Sequence, residues 1–368
     1  MVWLVRAATV SELFNLQRFF RVLVPLACLL IAPSIAKAEK AYVVNLNSAS
    51  VSVVNTANNA ILTTIGVVNA SRIAATPSGT KVYVSQPSSN SVTAIDTASD
   101  TIIRSVAVGL DPRGLSATPD GARVYVANSL ANTVSVIDTA TDAVVGAPIT
   151  VGAGPSDVAV SAVGSRAYVS NQTANTVSVI DTGSDSVIAT VPVGNVPTRI
   201  AVSRDGQRVY VANQVDGTVS VISTATNTVI ATVSVGTSPR SPAVTPDGSK
   251  VFVANAVSDT VSVIDTATNT VSATVTLVLG SSPRGVAITS DGLKAYVTNT
   301  SGNTLSVINT STNTVSATVT GFSGPVAIAF APFITPVPTL GQWALITLGL
   351  LLGGAAVVQL GRSRSNPA

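Results

Sequence analysis

A ten-residue phrase, ANTVSVIDTA at 131–140, returns as ANTVSVIDTG at 174–183 and again as DTVSVIDTA from residue 259. Aligning the chain on the aromatic residue of RVYVAN brings Tyr42, Tyr83, Tyr125, Tyr168, Tyr210, Phe252 and Tyr296 into register, at spacings of 41, 42, 43, 42, 42 and 44 residues. A fixed period of this size restricts the chain to a solenoid, a propeller or an array of small units.

The contents of one unit decide among these. In the unit from Arg208, RVYVAN is followed by the turn QVDG, then TVSVIST, TATN, TVIATVSVG and finally SPAVT before PDGS. Four short β-branched runs are separated by Asn, Asp, Gly, Ser, Thr and Pro, the pattern of antiparallel strands joined by tight turns. No segment has helical periodicity, so helical repeats are excluded. Four strands per unit and seven units predict an all-β fold, a seven-bladed propeller of four-stranded antiparallel blades. The array opens on a second strand, AYVVN at 41–45, and closes on a first strand, PVAIAF at 325–330. The last strand is therefore expected to complete the first blade and remove the free edges of an open array. First strands such as LSAT and IAVS alternate small and larger residues, which suits the crowded wall of a central channel.

YVAN, TVSVIDTATNTV and PDGSK resemble the YVTN-type β-propeller repeat, and Lys294 to Asn299 (KAYVTN) contains the motif itself. The resemblance spans residues 41–332 and implies a propeller in a surface or secreted setting, without implying a reaction.

The ends have a different character. Arg6, Arg18 and Arg21 precede an apolar run from Val22 to Ala36, and Ala36-Lys37-Ala38 supplies small residues for signal peptidase, so residues 1–38 read as a secretory signal cut after Ala38. After a propeller over 39–332, residues 333–339 form a Pro-rich linker, 340–361 an apolar segment long enough for a transmembrane helix, and 362–368 a basic tail with Arg362 and Arg364. Val337-Pro338-Thr339-Leu340, the apolar span and the basic tail together resemble the IPTL-type sorting signal of Gram-negative bacteria. That resemblance implies an exosortase-like transpeptidase as processing partner, passage through an inner-membrane intermediate, and delivery to the cell surface or extracellular matrix. A plain membrane anchor is the alternative.

The net charge of +3 belongs to the ends: residues 39–361 hold 14 Lys and Arg against 15 Asp and Glu39. No clustered basic face for nucleic acid follows from it. The chain has no His, its single Cys28 lies in the signal, and Glu39 is the only Glu after residue 38. General acid–base work would fall to Asp, Lys, Arg or Tyr. The Asp residues are placed by the repeat. Asp96, Asp138, Asp181 and Asp265 end third strands, Asp120, Asp205, Asp247 and Asp291 occupy D-G turns, and Asp100, Asp142 and Asp185 alternate with Asn in the turn after the third strand, which favours turn capping. No calcium-loop spacing or carboxylate cluster is present, so neither a metal nor another cofactor is expected. The Tyr residues are expected to pack between blades with their hydroxyls at a hydrogen-bonded edge.

One feature breaks the repetition. Arg113, Arg240 and Arg284 share one register just before the first strand, and Arg72 and Arg199 sit one residue later; Asp157 occupies one of the remaining units. Five arginines are thus expected to ring one mouth of the channel, either bracing blades or binding an anion. Strand alternation would send only one of the two registers into the channel. The composition, export and regular repeats lead to the expectation of a non-enzymatic surface or matrix protein, a platform for adhesion to an anionic polysaccharide or a surface protein. A propeller hydrolase of lactonase type and a membrane-tethered periplasmic scaffold are the alternatives.

Overall fold

The computed structural model describes residues 39–332, and these form seven four-stranded antiparallel sheets arranged as a seven-bladed propeller. Six blades are continuous in sequence, such as Pro112–Ala117, Arg123–Asn128, Thr133–Asp138 and Ala143–Thr150. The seventh is composite. Pro325–Pro332 pairs with Glu39–Asn45, which continues into Ser50–Asn55 and Ala60–Gly66. The expected closure is present, with Tyr42 opposite Ala329 and Val44 opposite Ala327.

Burial explains why the second and third strands are apolar on both faces. In a radial array the inner strands of each blade are covered by a neighbouring blade on either side. Val124, Tyr125, Val126 and Ala127 are fully buried in succession, as are Val219 and Val221 with Ile222 in another blade. Fourth strands form the outer rim and expose most of their length, as in Thr101–Ala107. The hydrophobic clusters lie between blades. Tyr83 and Val92 of one blade, for example, pack with Leu115 and Val124 of the next.

The tyrosines also join the blades through their hydroxyls, as expected. Tyr42 Oη donates to Asp100 at 2.5 Å, Tyr83 to Asp142 at 2.5 Å, Tyr125 to Asp185 at 2.6 Å, and Tyr296 to Asn59 at 2.7 Å. The same three carboxylates pair with Lys40, Lys81 and Arg123, at 2.8, 2.7 and 3.1 Å. This corrects the simple turn-capping reading of Asp100, Asp142 and Asp185. They do take the left-handed backbone that Asn and Asp tolerate, with φ of 55°, 50° and 51°, but their side chains tie each blade to the one before it. Burial, then the hydrogen bond to the neighbouring aspartate, pushes the Tyr42, Tyr83 and Tyr125 hydroxyls up from the usual phenol range. Where Asn227 and Asn269 replace the aspartate, Arg166 and Arg208 donate to the Thr224 and Thr266 carbonyls instead.

The third-strand aspartates do cap their turns: Asp138 Oδ1 accepts from the Thr141 N–H at 2.8 Å and from the Ala140 N–H at 3.1 Å. Both ends of the described chain lie on one face, that of the turns between first and second strands. Glu39 accepts from the Ser290 N–H there, and Pro332 abuts Gly79. No helix among the described residues is long and apolar enough to cross a membrane. The predicted signal with Ala36 and Ala38, the 340–361 span and the Val337, Pro338, Thr339, Leu340 motif all lie outside the described residues.

Phe252 is the one aromatic of the register without a hydroxyl, and Lys250 alone reaches the matching Asn313 at 3.3 Å. Replacing Tyr83 with Phe should lower stability by about 1–2 kcal/mol, while Phe252→Tyr should raise it by a smaller amount. Thermal denaturation of the two variants checks both signs.

Candidate functional site

The interblade connections and the turns between second and third strands share one face. In four of these turns a left-handed Asn receives the neighbouring connection: Asn90 Oδ1 accepts from the Asp111 N–H at 3.0 Å, Asn132 Oδ1 from the Gly154 N–H at 2.8 Å, Asn175 Oδ1 from the Val196 N–H at 2.9 Å and Asn303 Oδ1 from the Gly324 N–H at 2.7 Å. Six of the seven innermost strands are entered through an irregularity, and the strand beginning at Arg72 pairs in regular register. Pairing jumps from Pro112–Asn128 to Leu115–Val126, from Pro239–Asn255 to Pro242–Val253, and from Pro283–Asn299 to Val286–Val297. The residues skipped are Arg113 with Gly114, Arg240 with Ser241, and Arg284 with Gly285. Arg199 lies in the equivalent break, between Pro197 and Ile200.

These bulges change the sequence expectation. A bulge suspends alternation and re-aims side chains, so the two arginine registers need not point to opposite faces. Arg72 senses the charges of Arg199, Arg113 and Arg240, and Arg240 those of Arg284 and Arg199. The five arginines therefore form one electrostatic group at the channel, at different depths. Arg113 is the outermost, with its side chain 44% exposed and its Nε donating to Asp111 at 2.9 Å. Arg199 spans the channel: Nη1 donates to Ser241 Oγ at 3.2 Å and Nη2 to the Val326 carbonyl at 2.9 Å. Arg72 donates to the Ser71 carbonyl, at 3.3 Å.

Three guanidinium nitrogens in this group have no partner. The Nε atoms of Arg72, Arg240 and Arg284 are buried and unbonded, although a buried donor left unsatisfied is costly. Burial, followed by the neighbouring arginines, holds Arg240 down at about 10. Burial dominates at Arg72 and Arg199 as well, and lowers both from the usual guanidinium value.

Asp157 occupies the same register as Arg72 and Arg199 and is the carboxylate among them. Its Oδ2 accepts from the Ile200 N–H at 3.2 Å. The other aspartates of this face are otherwise engaged: Asp111 with Arg113, Asp216 with the Asn195 N–H and amide, Asp259 with the Gly280 and Ser282 N–H groups. Burial pushes the Asp157 carboxyl up, against the opposing pull of Arg199 and Arg72. Among the described residues no ion pair joins Asp157 directly to an arginine. Space for the carboxylate comes from Gly114, where an added Cβ would lie 1.9 Å from Asp157 Oδ1 and 2.4 Å from its Cα. Sequence reasoning found all five arginines and noted Asp157 only as an interruption. The signal for its role was available as the one acidic residue in a register otherwise filled by Arg, Gly, Ser or Ala.

The chain carries the seven-bladed propeller fold. The YNCE-like beta-propeller profile matches residues 145–244, 207–282 and 242–342, more than half of the chain, and the protein belongs to that family. The profile of the seven-bladed beta-propeller lactonases matches residues 37–147, which hold Arg72 and Arg113, and the IPTL-CTERM motif matches residues 335–364. The YVTN-type repeat and the sorting motif read from the sequence thus both stand, and the motif marks an exported protein.

Among solved structures the chain is similar to a Kuenenia stuttgartiensis hydrazine synthase, at 23% identity over 71% of this chain and 89% of that one (TM-score 0.66). A putative 6-phosphogluconolactonase from Bacteroides uniformis is similar at 16% identity over 80% of this chain and 100% of that one (TM-score 0.70). A periplasmic gluconolactonase from Pseudomonas aeruginosa is similar at 18% identity over 80% and 99% (TM-score 0.67). At these identities the likeness shows the fold. No curated protein matches.

The expectation of a non-enzymatic platform for adhesion or matrix binding is corrected by these findings. The lactonase profile over 37–147 and the gluconolactonase neighbours favour the hydrolase alternative. The sequence argument assigned the Asp residues to turns and took Asp157 only as a break in the arginine register, whereas the channel gathers Asp157 with Arg72 and Arg199.

Gly114→Ala should displace Asp157 and cost about 1–3 kcal/mol through overpacking. Thermal denaturation measures the cost, and a variant as stable as the parent would mean that the close approach is relieved without strain.

Proposed function

We propose that the protein is a propeller hydrolase of lactonase type, working at the arginine-lined mouth of its channel. The observation that carries this reading is the single carboxylate, Asp157, set among Arg72 and Arg199, with the buried Nε of Arg72 left unbonded. The lactonase profile, and the neighbours described as gluconolactonases, support it.

In the chemistry this site suits, the ionised Asp157 takes a proton from a water molecule whose oxygen attacks the lactone carbonyl carbon. The carbonyl π electrons pass to the oxygen, and the guanidinium groups of Arg72 and Arg199 stabilise the resulting oxyanion. Collapse of the tetrahedral centre breaks the bond to the ring oxygen, which receives the proton from Asp157. The product is the open hydroxy acid, and its carboxylate is of the charge the arginines favour.

The raised Asp157 pKa fixes the direction of two pH effects. The base must be ionised, so activity should climb with pH along a limb centred above the ordinary Asp value of about 3.9. For stability, a carboxyl whose folded pKa is raised binds more protons folded than unfolded, so its contribution falls as pH rises from the unfolded to the folded pKa. Asp157→Asn should therefore lose lactone hydrolysis by about 10²-fold or more while losing no stability to ionisation at neutral pH. Hydrolysis of δ-gluconolactone and γ-butyrolactone, followed by pH-stat, tests the reading. An Asp157→Asn variant with parental activity would refute it.

We further infer that residues 1–38 direct export and that the chain is cut near Val337-Pro338-Thr339-Leu340 on its way to the cell surface, with signal peptidase and an exosortase-like transpeptidase as partners. The IPTL-CTERM match over 335–364 supports this. Intact mass of the protein released by the producing cell should show a start at Glu39 and loss of the 340–361 segment, and Pro338→Ala with Thr339→Ala should retain that segment.

A further inference from the structure

Because every blade repeats the same connections, departures from the repeat stand out against an internal control. On the arginine face, six of the seven turns after the second strand are joined to the preceding interblade connection by a backbone hydrogen bond, and the seventh is joined through the Gln86 side chain. Six such seams are recorded: Asn47 to Ser323, Leu130 to Leu110, Thr173 to Ala153, Val215 to Asn195, Val257 to Thr237 and Ser301 to Ser281. Only the second of these pairs two large aliphatic side chains. Leu110 and Leu130 are 54% and 73% exposed, so the pair is presented to solvent rather than used in the core.

These two leucines and Pro87 form the apolar part of an open cleft of about 500 Å³ whose remaining lining is Ser88, Asn90, Asp111 and Arg113. Arg113 is shared with the channel, since its charge is felt at Arg72. Asp111 is held by Arg113 at 2.9 Å and by the Asn90 side chain through its N–H, and so does not face the cleft as a free carboxylate. A cleft with one aliphatic wall, Leu110 and Leu130, thus opens beside a cationic channel at one seam of the propeller.

We infer that this cleft is a subsite for an aliphatic chain, and that the ligand of the channel is an amphiphile: a lactone, or the carboxylate it yields, bearing an alkyl or acyl tail. The assignment rests on the lactonase reading for the reacting group and adds the substrate class. Charge and shape are complementary to such a molecule. The anionic or carbonyl end meets Arg72, Arg199 and Arg113, and the chain runs outward across Leu110 and Leu130. A polar sugar lactone has no use for the two leucines; the seams Ala153–Thr173 and Asn195–Val215 hold at most one large aliphatic residue, and the exposed Val278 and Leu279 follow one another in a single connection rather than facing each other across a seam.

The experiment measures binding by titration calorimetry of acetate, hexanoate and decanoate to the protein, alongside KM and kcat for γ-butyrolactone and for γ-lactones with lengthening alkyl chains. The comparison variant is Leu110→Ser with Leu130→Ser, whose exposed positions leave the core untouched; its melting temperature is the control. Each methylene that enters the cleft should tighten binding about fourfold, so decanoate should exceed hexanoate by tenfold or more. In the double variant that gain should collapse, while acetate binding and the kcat on γ-butyrolactone stay as in the parent. Equal affinity for all three acids, no binding of any, or an unchanged chain-length dependence in the double variant would overturn the proposal. Tight, leucine-dependent binding of decanoate without lactone hydrolysis would retain the tail subsite and remove the lactonase reading, whereas hydrolysis with a KM indifferent to chain length would do the reverse.

Discussion

The fold depends on covering both faces of strands that are apolar on both faces. A single blade leaves its second and third strands bare on each side, and no blade can bury them alone. Seven blades arranged in a circle satisfy every interface only if the circle closes, and closure is achieved by one strand, Pro325–Pro332, pairing with Glu39–Asn45 across nearly the full length of the chain. The β-branched runs, the small residues on inner strands and the turn chemistry all serve this one requirement.

Apolar contact between blades is nearly featureless, and the register of one blade against the next is set by polar ties. The Tyr–Asp–Lys and Tyr–Asp–Arg groups at three seams place a buried hydroxyl, a carboxylate and a cation in a fixed relation. A slip would strand those groups in an apolar interface, at a cost well above that of a lost contact. Of the seams with Asn instead of Asp, the one with Asn59 keeps the tyrosine hydrogen bond, whereas at Asn227 and Asn269 the tie passes to an arginine and a backbone carbonyl. The variation in sequence at this turn is therefore a variation in how firmly each pair of blades is joined.

The repeat made the fold legible, including blade number, strand order and the composite closing blade. It also concealed the site. Regularity invites every residue to be explained by its place in the pattern, and Asp157 was passed over for that reason. The bulges behind Pro112, Pro197, Pro239 and Pro283 were not readable either, because strand alternation was the natural assumption for adjacent residues, and the pairing break that gathers both arginine registers arises only when the connection meets the innermost strand. The Asp100, Asp142 and Asp185 ties were hidden for a related reason: Asn–Asp interchange signals a backbone need, and the side chain's reach into the neighbouring blade is a second use of the same position. The functional expectation failed where the absence of His was combined with a structural reading of every Asp, which left no carboxylate for chemistry.

Both ends of the folded domain leave from the face of the first-to-second strand turns, Glu39 beside Ser290 and Pro332 beside Gly79. The arginine mouth opens on the other face. Whatever is attached at either end, whether a bilayer, a resin or a fused domain, is kept a full strand's length away from the entrance. The protein can be tethered at its floor and leave the open side clear, so that attachment and access to the channel do not compete for the same surface.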